Sequence, residues 1–209
     1  MVYKKINLNK WNRKSQFDFF KDYDIPFFNI SANVDVTNLH RFCKSQKLPF
    51  FLSSLFYSTK AINEIEEFRY RIKGDGVICY DKIDAGSTIL MDDNTFSFCY
   101  FEYIDDLQQF IEVGNKEIET LKKKKCLDPK LNADNLIHYS SIPWISFTSV
   151  QHARKLRTGD SIPKLVFGKF YKDGHRLNMP LSVEVHHALL DGYHVSEYFK
   201  KYQGLMDSL

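Results

Sequence analysis

The sequence predicts an α/β sheet protein folded as one domain over residues 1–209. Three observations lead there. The 209 residues are 44% hydrophobic and 15% aromatic, enough to bury a core. Apolar residues recur at helical spacing in some segments and alternate in others, so helices and strands interleave. No repeat, low-complexity tract or Gly/Ser linker divides the chain.

In chain order, Arg13 to Lys21 reads as an early helix. Leu52, Leu55, Phe56 and Ile62 recur at helical spacing through LSSLFYSTKAINEI and predict a second one. FRYRIKGDGVICY places two β-rich runs around Gly74-Asp75-Gly76, a hairpin signal. Thr95 to Tyr103 is aromatic and strand-like. From Asp105 to Lys125 the helical period returns, with Leu107, Phe110, Ile111, Ile118 and Leu121 on one face and Val113 off it. Asp105 and Asp106 sit at its start and Lys122 to Lys125 at its end, as the helix dipole favours. Trp144 to Val150 alternates and predicts a strand. Leu165 to Tyr171 pairs with Leu177 to Val185 across a Lys172-Asp173-Gly174 turn, and Ser196 to Leu205 forms a last helix.

Charge and cysteine usage exclude several functions. A formal charge of +3 is too small for a dedicated nucleic-acid surface. The lysines at 122–125 read as a solvated helix end, not a phosphate patch. Cys43, Cys79, Cys99 and Cys126 form no CxxC pair and read as reduced, buried thiols. MVYKKINLNKW lacks the apolar run of a signal peptide, and nowhere do eighteen apolar residues run together. These features predict a cytoplasmic protein with no membrane contact.

The segment richest in chemistry is LSVEVHHALLDGYHVSEYF, residues 181–199. Leu181, Val183 and Val185 alternate as a strand that ends on His186 and His187. A turn with Asp191-Gly192 follows, and then the last helix. Such a junction can project side chains into a cleft from a rigid base. Adjacent strand residues point to opposite sides, so only one of the two histidines can face a given cleft. That geometry argues against a metal site built from His186, His187, Asp191 and His194, and no zinc spacing is present. A core histidine beside a turn aspartate, with Gly192 there for backbone shape, is a second reading. General-base catalysis is the third, because histidine titrates near neutral pH.

The pattern HHxxxDG, here within HHALLDGYH, resembles that of CoA-dependent acyltransferases and of the chloramphenicol acetyltransferase family in particular. The resemblance extends over nearly the whole chain in order. WNRK (Trp11 to Lys14) is similar to the family's W-x-R motif, and SSIPWISFTS (Ser140 to Ser149) to its S-x-x-PW block. EFRYRI (Glu67 to Ile72) and MPLSVEVHH (Met179 to His187) fit as well. Four blocks in series are more specific than one motif.

The resemblance implies a two-layer α/β sandwich that assembles as a homotrimer, with active sites between subunits. It implies an O-acetyltransferase that uses acetyl-CoA as co-substrate, with no metal and no covalent acyl-enzyme. His187 would be the base and Ser140 the donor to the oxyanion. Asp191 would pair with Arg13 to hold the site's backbone, Gly192 would serve the turn, and Trp144 would pack. Lys169 would lie near the adenine end of CoA. Phe20, Phe28, Phe96 and His152 would line the acceptor pocket, with chloramphenicol as the acceptor and antibiotic inactivation as the outcome.

The sequence departs from the family at three pocket positions. His152 replaces an aliphatic residue, Val166 replaces a threonine, and His138 replaces an asparagine. His152 and Val166 motivate a second reading, a related acetyltransferase for another small alcohol or amine. The acyltransferase core of a 2-oxo-acid dehydrogenase complex shares the motif. A non-catalytic trimeric scaffold is the reading from a different class, and retention of His187, Ser140, Arg13 and Asp191 together speaks against it.

Overall fold

A pleated strand sends alternate side chains to opposite faces, so one face of a sheet can be apolar while the other is polar. The main sheet here is organised on that rule. The computed structural model describes residues 2–124, 126–127, 129–130, 133–154 and 159–209. The elements run β1 (Tyr3–Lys5), α1 (Lys14–Phe20), β2 (Phe27–Asp35), α2 (Thr37–Gln46), α3 (Phe50–Asn63), β3 (Tyr70–Lys73), β4 (Gly76–Tyr80), β5 (Asp84–Leu90) and β6 (Phe96–Phe101). They continue with α4 (Leu107–Lys124), β7 (Leu136–Ile142), β8 (Lys164–Gly168), β9 (Tyr171–Asp173), β10 (Arg176–His186) and α5 (Gly192–Asp207).

Six strands lie in the order β2-β10-β8-β7-β5-β6, and β9 pairs with β10 off that path. Only the β5–β7 and β7–β8 pairs of this sheet are parallel. A separate antiparallel sheet has the order β1-β4-β3. Across the main sheet one row reads Ile30, Val183, Leu165, Tyr139, Ser87 and Cys99. This face meets the helices: the Tyr139 hydroxyl lies 2.9 Å from Ser58 Oγ of α3, which lies 2.6 Å from the Tyr198 hydroxyl of α5. The next row, on the other face, reads Asn29, Glu184, Lys164, His138, Gly86 and Tyr100. Its polar character requires a different cover. Part of that cover is the irregular segment at 143–154, whose Arg154 donates to Glu184 at 2.6 Å and to Asp160 at 2.8 Å. The Arg154 guanidinium also sits 3.5 Å over the Phe27 ring, a cation–π contact beside the end of β10.

Local chemistry explains the element ends. The β3–β4 turn uses Gly74 at φ +56° and the β9–β10 turn Gly174 at φ +57°, conformations that suit glycine. Asp106 caps α4 by accepting from the Gln109 amide at 2.8 Å, and Lys122 to Lys124 occupy its last turn. Lys125, counted in the predicted helix, lies outside the described residues. Arg71 is fully buried and donates to four carbonyls: Asp134 at 2.6 Å, Phe68 at 3.0 Å, Tyr70 at 2.5 Å and Leu136 at 2.6 Å. Burial pushes its guanidinium down to about 10, still protonated at neutral pH.

Several expectations are corrected. Trp144 to Val150 is not a strand; Ser146 Oγ donates to the Lys169 carbonyl and Phe147 packs on Gly168, where a Cβ would lie 2.9 Å from its ring. The alternation there comes from one aromatic wedged onto a glycine. The strand predicted at 165–171 is broken after Gly168, where the Lys169 amide turns to the Ile145 carbonyl at 3.0 Å. The last helix begins four residues early, at Gly192, because Asp191 caps it. Cys43, Cys79 and Cys99 are buried, but Cys126 is exposed. Among the described residues no helix is long and apolar enough to cross a membrane.

Candidate active site

The end of β10 fixes the two histidines. His186 pairs with Phe27 and is buried; its Nδ1 accepts from the Ala188 amide at 3.2 Å. Burial, then the Arg154 charge, pushes it down to about 4, so at neutral pH it carries no charge. His187 leaves the strand on the other side. Its amide donates to the Pro26 carbonyl at 2.7 Å. Its ring stacks on Phe20 at 4.0 Å and 8°, and Phe28 tilts against it at 4.6 Å. The two phenylalanines expected in the pocket thus hold the ring of the expected base.

His187 Nδ1 lies 3.2 Å from the Leu190 carbonyl. A carbonyl can only accept, so Nδ1 carries a proton, and in the neutral ring Nε2 keeps its lone pair. That is the tautomer a general base requires. The turn that supplies this carbonyl is tied at both ends: the Leu189 and Leu190 amides donate to the His186 carbonyl, and Asp191 caps α5 by accepting from the Tyr193 amide at 3.0 Å.

Arg13 and Asp191 meet as expected, with Nη1 2.7 Å from Oδ2. Burial opposes ionisation of Asp191, but the hydrogen bond and charge of Arg13 hold its carboxyl below the ordinary value. Gly192 does not need to be glycine within one chain. Its backbone is outside the left-handed region, and a Cβ there would meet nothing within 4 Å.

Ser140 is not beside His187. It shares a sheet row with Val166 and Ser182, two strands from β10. His187 lies five positions past Ser182, so strand geometry separates the two side chains by roughly 16 Å along the sheet and roughly 10 Å across it. Phe96 lies on β6, at the opposite edge of the main sheet from β2, and is 52% exposed. His152 sits in the irregular segment; its Nε2 is buried without a partner, and burial lowers its basicity. His138, two rows from Ser140 on the same face, is pushed down to about 4, mainly by burial. Within one chain the predicted site is therefore split into a base half and an oxyanion half.

Beside the oxyanion half is a cavity of about 460 Å³ lined by Phe50, Phe51, Trp144, Lys169 and Phe170, with Ser141 and Gly168 on its wall. Trp144, expected to pack, is 65% exposed and forms part of this wall. Among the described residues no cluster of three or more His, Cys, Asp or Glu side chains is arranged to hold a metal ion.

The profile of the family described as chloramphenicol acetyltransferase matches residues 1–203. The chain belongs to the chloramphenicol acetyltransferase family. Its relatives in that family include chloramphenicol acetyltransferase 3 of Escherichia coli, 29% identical over 210 residues that cover 100% of this chain and 99% of the relative. A chloramphenicol acetyltransferase of Clostridium perfringens is 30% identical and covers 98% and 95%. A solved chloramphenicol acetyltransferase structure superposes with a TM-score of 0.86 at 30% identity, covering 98% of this chain and 100% of that one. The dihydrolipoamide acetyltransferase of Azotobacter vinelandii shares the fold, with a TM-score of 0.70 at 19% identity over 92% and 86%. Membership of the chloramphenicol acetyltransferase family makes the chain an acyltransferase enzyme, and the sequence blocks around Trp11, Ser140 and His187 lie inside the matched region.

Proposed function

We propose that the chain transfers the acetyl group of acetyl-CoA to a hydroxyl of chloramphenicol, within a single domain. The observation that carries the reading is His187, held by Phe20 and Phe28 with Nδ1 committed to a carbonyl and Nε2 bare. Nε2 takes the acceptor's proton as its oxygen attacks the thioester carbonyl. The Ser140 hydroxyl donates to the oxyanion of the tetrahedral intermediate. Collapse breaks the carbon–sulfur bond, and the CoA thiolate recovers the proton from His187. The cavity beside Lys169 suits the donor: its aromatic walls match adenine and the pantetheine arm, and Lys169 offers a cation to a phosphate.

The separation of Ser140 from His187 supports a homotrimer in which each site joins the base half of one subunit to the oxyanion half of its neighbour. A complementation experiment tests this. His187→Ala and Ser140→Ala proteins, each nearly inactive alone, are expected to regain thiol release from acetyl-CoA when unfolded together and refolded as mixed oligomers. Some interfaces then hold both intact residues. Mixed oligomers no more active than either parent would mean that the halves are not shared between chains.

Arg13 and Asp191 hold the turn beneath the base in this reading. Arg13→Ala leaves a half-buried carboxylate without its partner, which costs roughly 1–3 kcal/mol. Melting temperature and turnover are expected to fall together. Unchanged values of both would remove the pair from the site's support.

The decisive assay measures thiol release from acetyl-CoA with and without chloramphenicol. Release that needs chloramphenicol establishes the reaction. A second reading, acetylation of another small alcohol or amine, is favoured by the unpartnered Nε2 of His152, which would suit an acceptor with its own hydrogen-bonding group. Release that chloramphenicol does not stimulate but another small acceptor does would select it.

A further inference from the structure

The peptide between Leu190 and Asp191 makes two hydrogen bonds, and both end on histidines. Its carbonyl accepts from His187 Nδ1 at 3.2 Å, and its N–H points to His194 Nδ1 at 3.1 Å. One amide plane therefore joins the base to a second ring. We propose that His194 is a positioning residue that fixes the tautomer of His187 through this peptide. The inference rests on the reading of His187 as the base.

The chemistry follows from what each atom can do. The Asp191 N–H can only donate, so its partner nitrogen on His194 must be bare. Donation from that N–H polarises the amide and makes the Leu190 carbonyl a stronger acceptor, as linked hydrogen bonds reinforce one another. A stronger carbonyl holds the His187 proton on Nδ1 and leaves Nε2 free. It also supports the charge that His187 takes up when the acceptor loses its proton. His194 is well placed for this role, because it is 9% exposed and sits in the first turn of α5.

The groups facing His194 define one competing state. Asp191 Oδ1 lies 2.9 Å from Nδ1, Glu67 Oε1 lies 3.6 Å from Nε2, and the Tyr193 ring is edge-on at 5.5 Å. Arg13 bonds the far oxygen of the same aspartate. A proton on His194 Nδ1 would turn to Oδ1 and leave the Asp191 N–H facing another donor. Glu67 favours the alternative, with the proton on Nε2, where it points toward a carboxylate. The two states are mutually exclusive and can be separated by experiment.

Nitrogen-15 spectra of histidine side chains test this directly on the wild-type protein. The expected result is His187 with its proton on Nδ1, His194 with its proton on Nε2, and a through-bond coupling between the Asp191 amide nitrogen and His194 Nδ1. His194 with its proton on Nδ1 would overturn the proposal without any variant. Two substitutions add the functional side. Asparagine places an oxygen where Nδ1 stood, so His194→Asn should keep the His187 tautomer and kcat. Leucine offers no acceptor, so His194→Leu should give a mixture of His187 tautomers and lower kcat about tenfold with little change in the KM for acetyl-CoA. Equal behaviour of the two folded variants would overturn the inference. The spectra do not depend on turnover, so failure of the acyl-transfer reading would leave this result distinguishable.

Discussion

His187→Ala is expected to lower acetyl transfer by roughly 10²–10⁴-fold, the span that general-base assistance supplies. The loss should fall on kcat, because the ring is placed to act on the acceptor's proton and not to bind CoA. The fold should survive. Truncation removes a stacked contact with Phe20 and a tilted one with Phe28, worth about 1 kcal/mol each at most. A melting temperature within a few degrees of wild type, with turnover reduced by at least two orders of magnitude, is the outcome to check by thiol release and thermal denaturation. Full activity in this variant would remove His187 from the chemistry and with it the proposed mechanism.

Arg71→Ala is expected to have the largest effect on stability, on the order of 4 kcal/mol. The guanidinium is the donor for the Phe68, Tyr70, Asp134 and Leu136 carbonyls. Removing it leaves those oxygens in a place water does not reach. Leu136 begins the strand that carries Ser140, so the clamp ties the small sheet to the oxyanion half of the site. Arg71→Lys should rescue little, because an ammonium cannot span four carbonyls with the guanidinium's planar fork. Urea denaturation of the three proteins checks this, with the midpoint falling in both variants. A midpoint for Arg71→Ala close to wild type would show that the clamp contributes nothing.

Much of this fold is legible in the sequence alone. The strand ending at His186, the Gly74 hairpin and α4 all come from patterns that repeat with a fixed period, which burial on one face enforces. β2 is legible too, although no strand is predicted there: Ile30, Ala32 and Val34 alternate with Asn29, Ser31 and Asn33, the period-two pattern of a half-buried strand. α2 is hidden; only Leu39 and Cys43 of its ten residues are buried, too few to set a period. The strand expected at 144–150 fails for the opposite reason, an alternation made by a single wedge. Of the site, the Arg13–Asp191 contact follows from family resemblance, since no local rule joins residues 178 apart. The role of His194 in the turn has a local signal. It stands three residues after the cap Asp191, where a capping box normally has Glu or Gln, and a histidine there can accept the same amide.

The position of β10 between β2 and β8 has a consequence for how the chain reaches this state. β10 spans residues 176–186 and pairs with β2 at residues 27–35, close to the other end of the chain. β8 also waits for it, because β10 is its antiparallel neighbour. During synthesis, the early strands are made long before the strand that completes them. Ordering so many distant pairings is slow, since the loop entropy is lost before the contacts form. Until β10 arrives, β2 and β8 carry open edges, and β2 lies beside the aromatic run Phe19, Phe20 and Tyr23. Nascent chains should therefore be most prone to aggregate in the interval just before residue 186 emerges, and yield should depend on chaperones and growth temperature more than the melting temperature suggests.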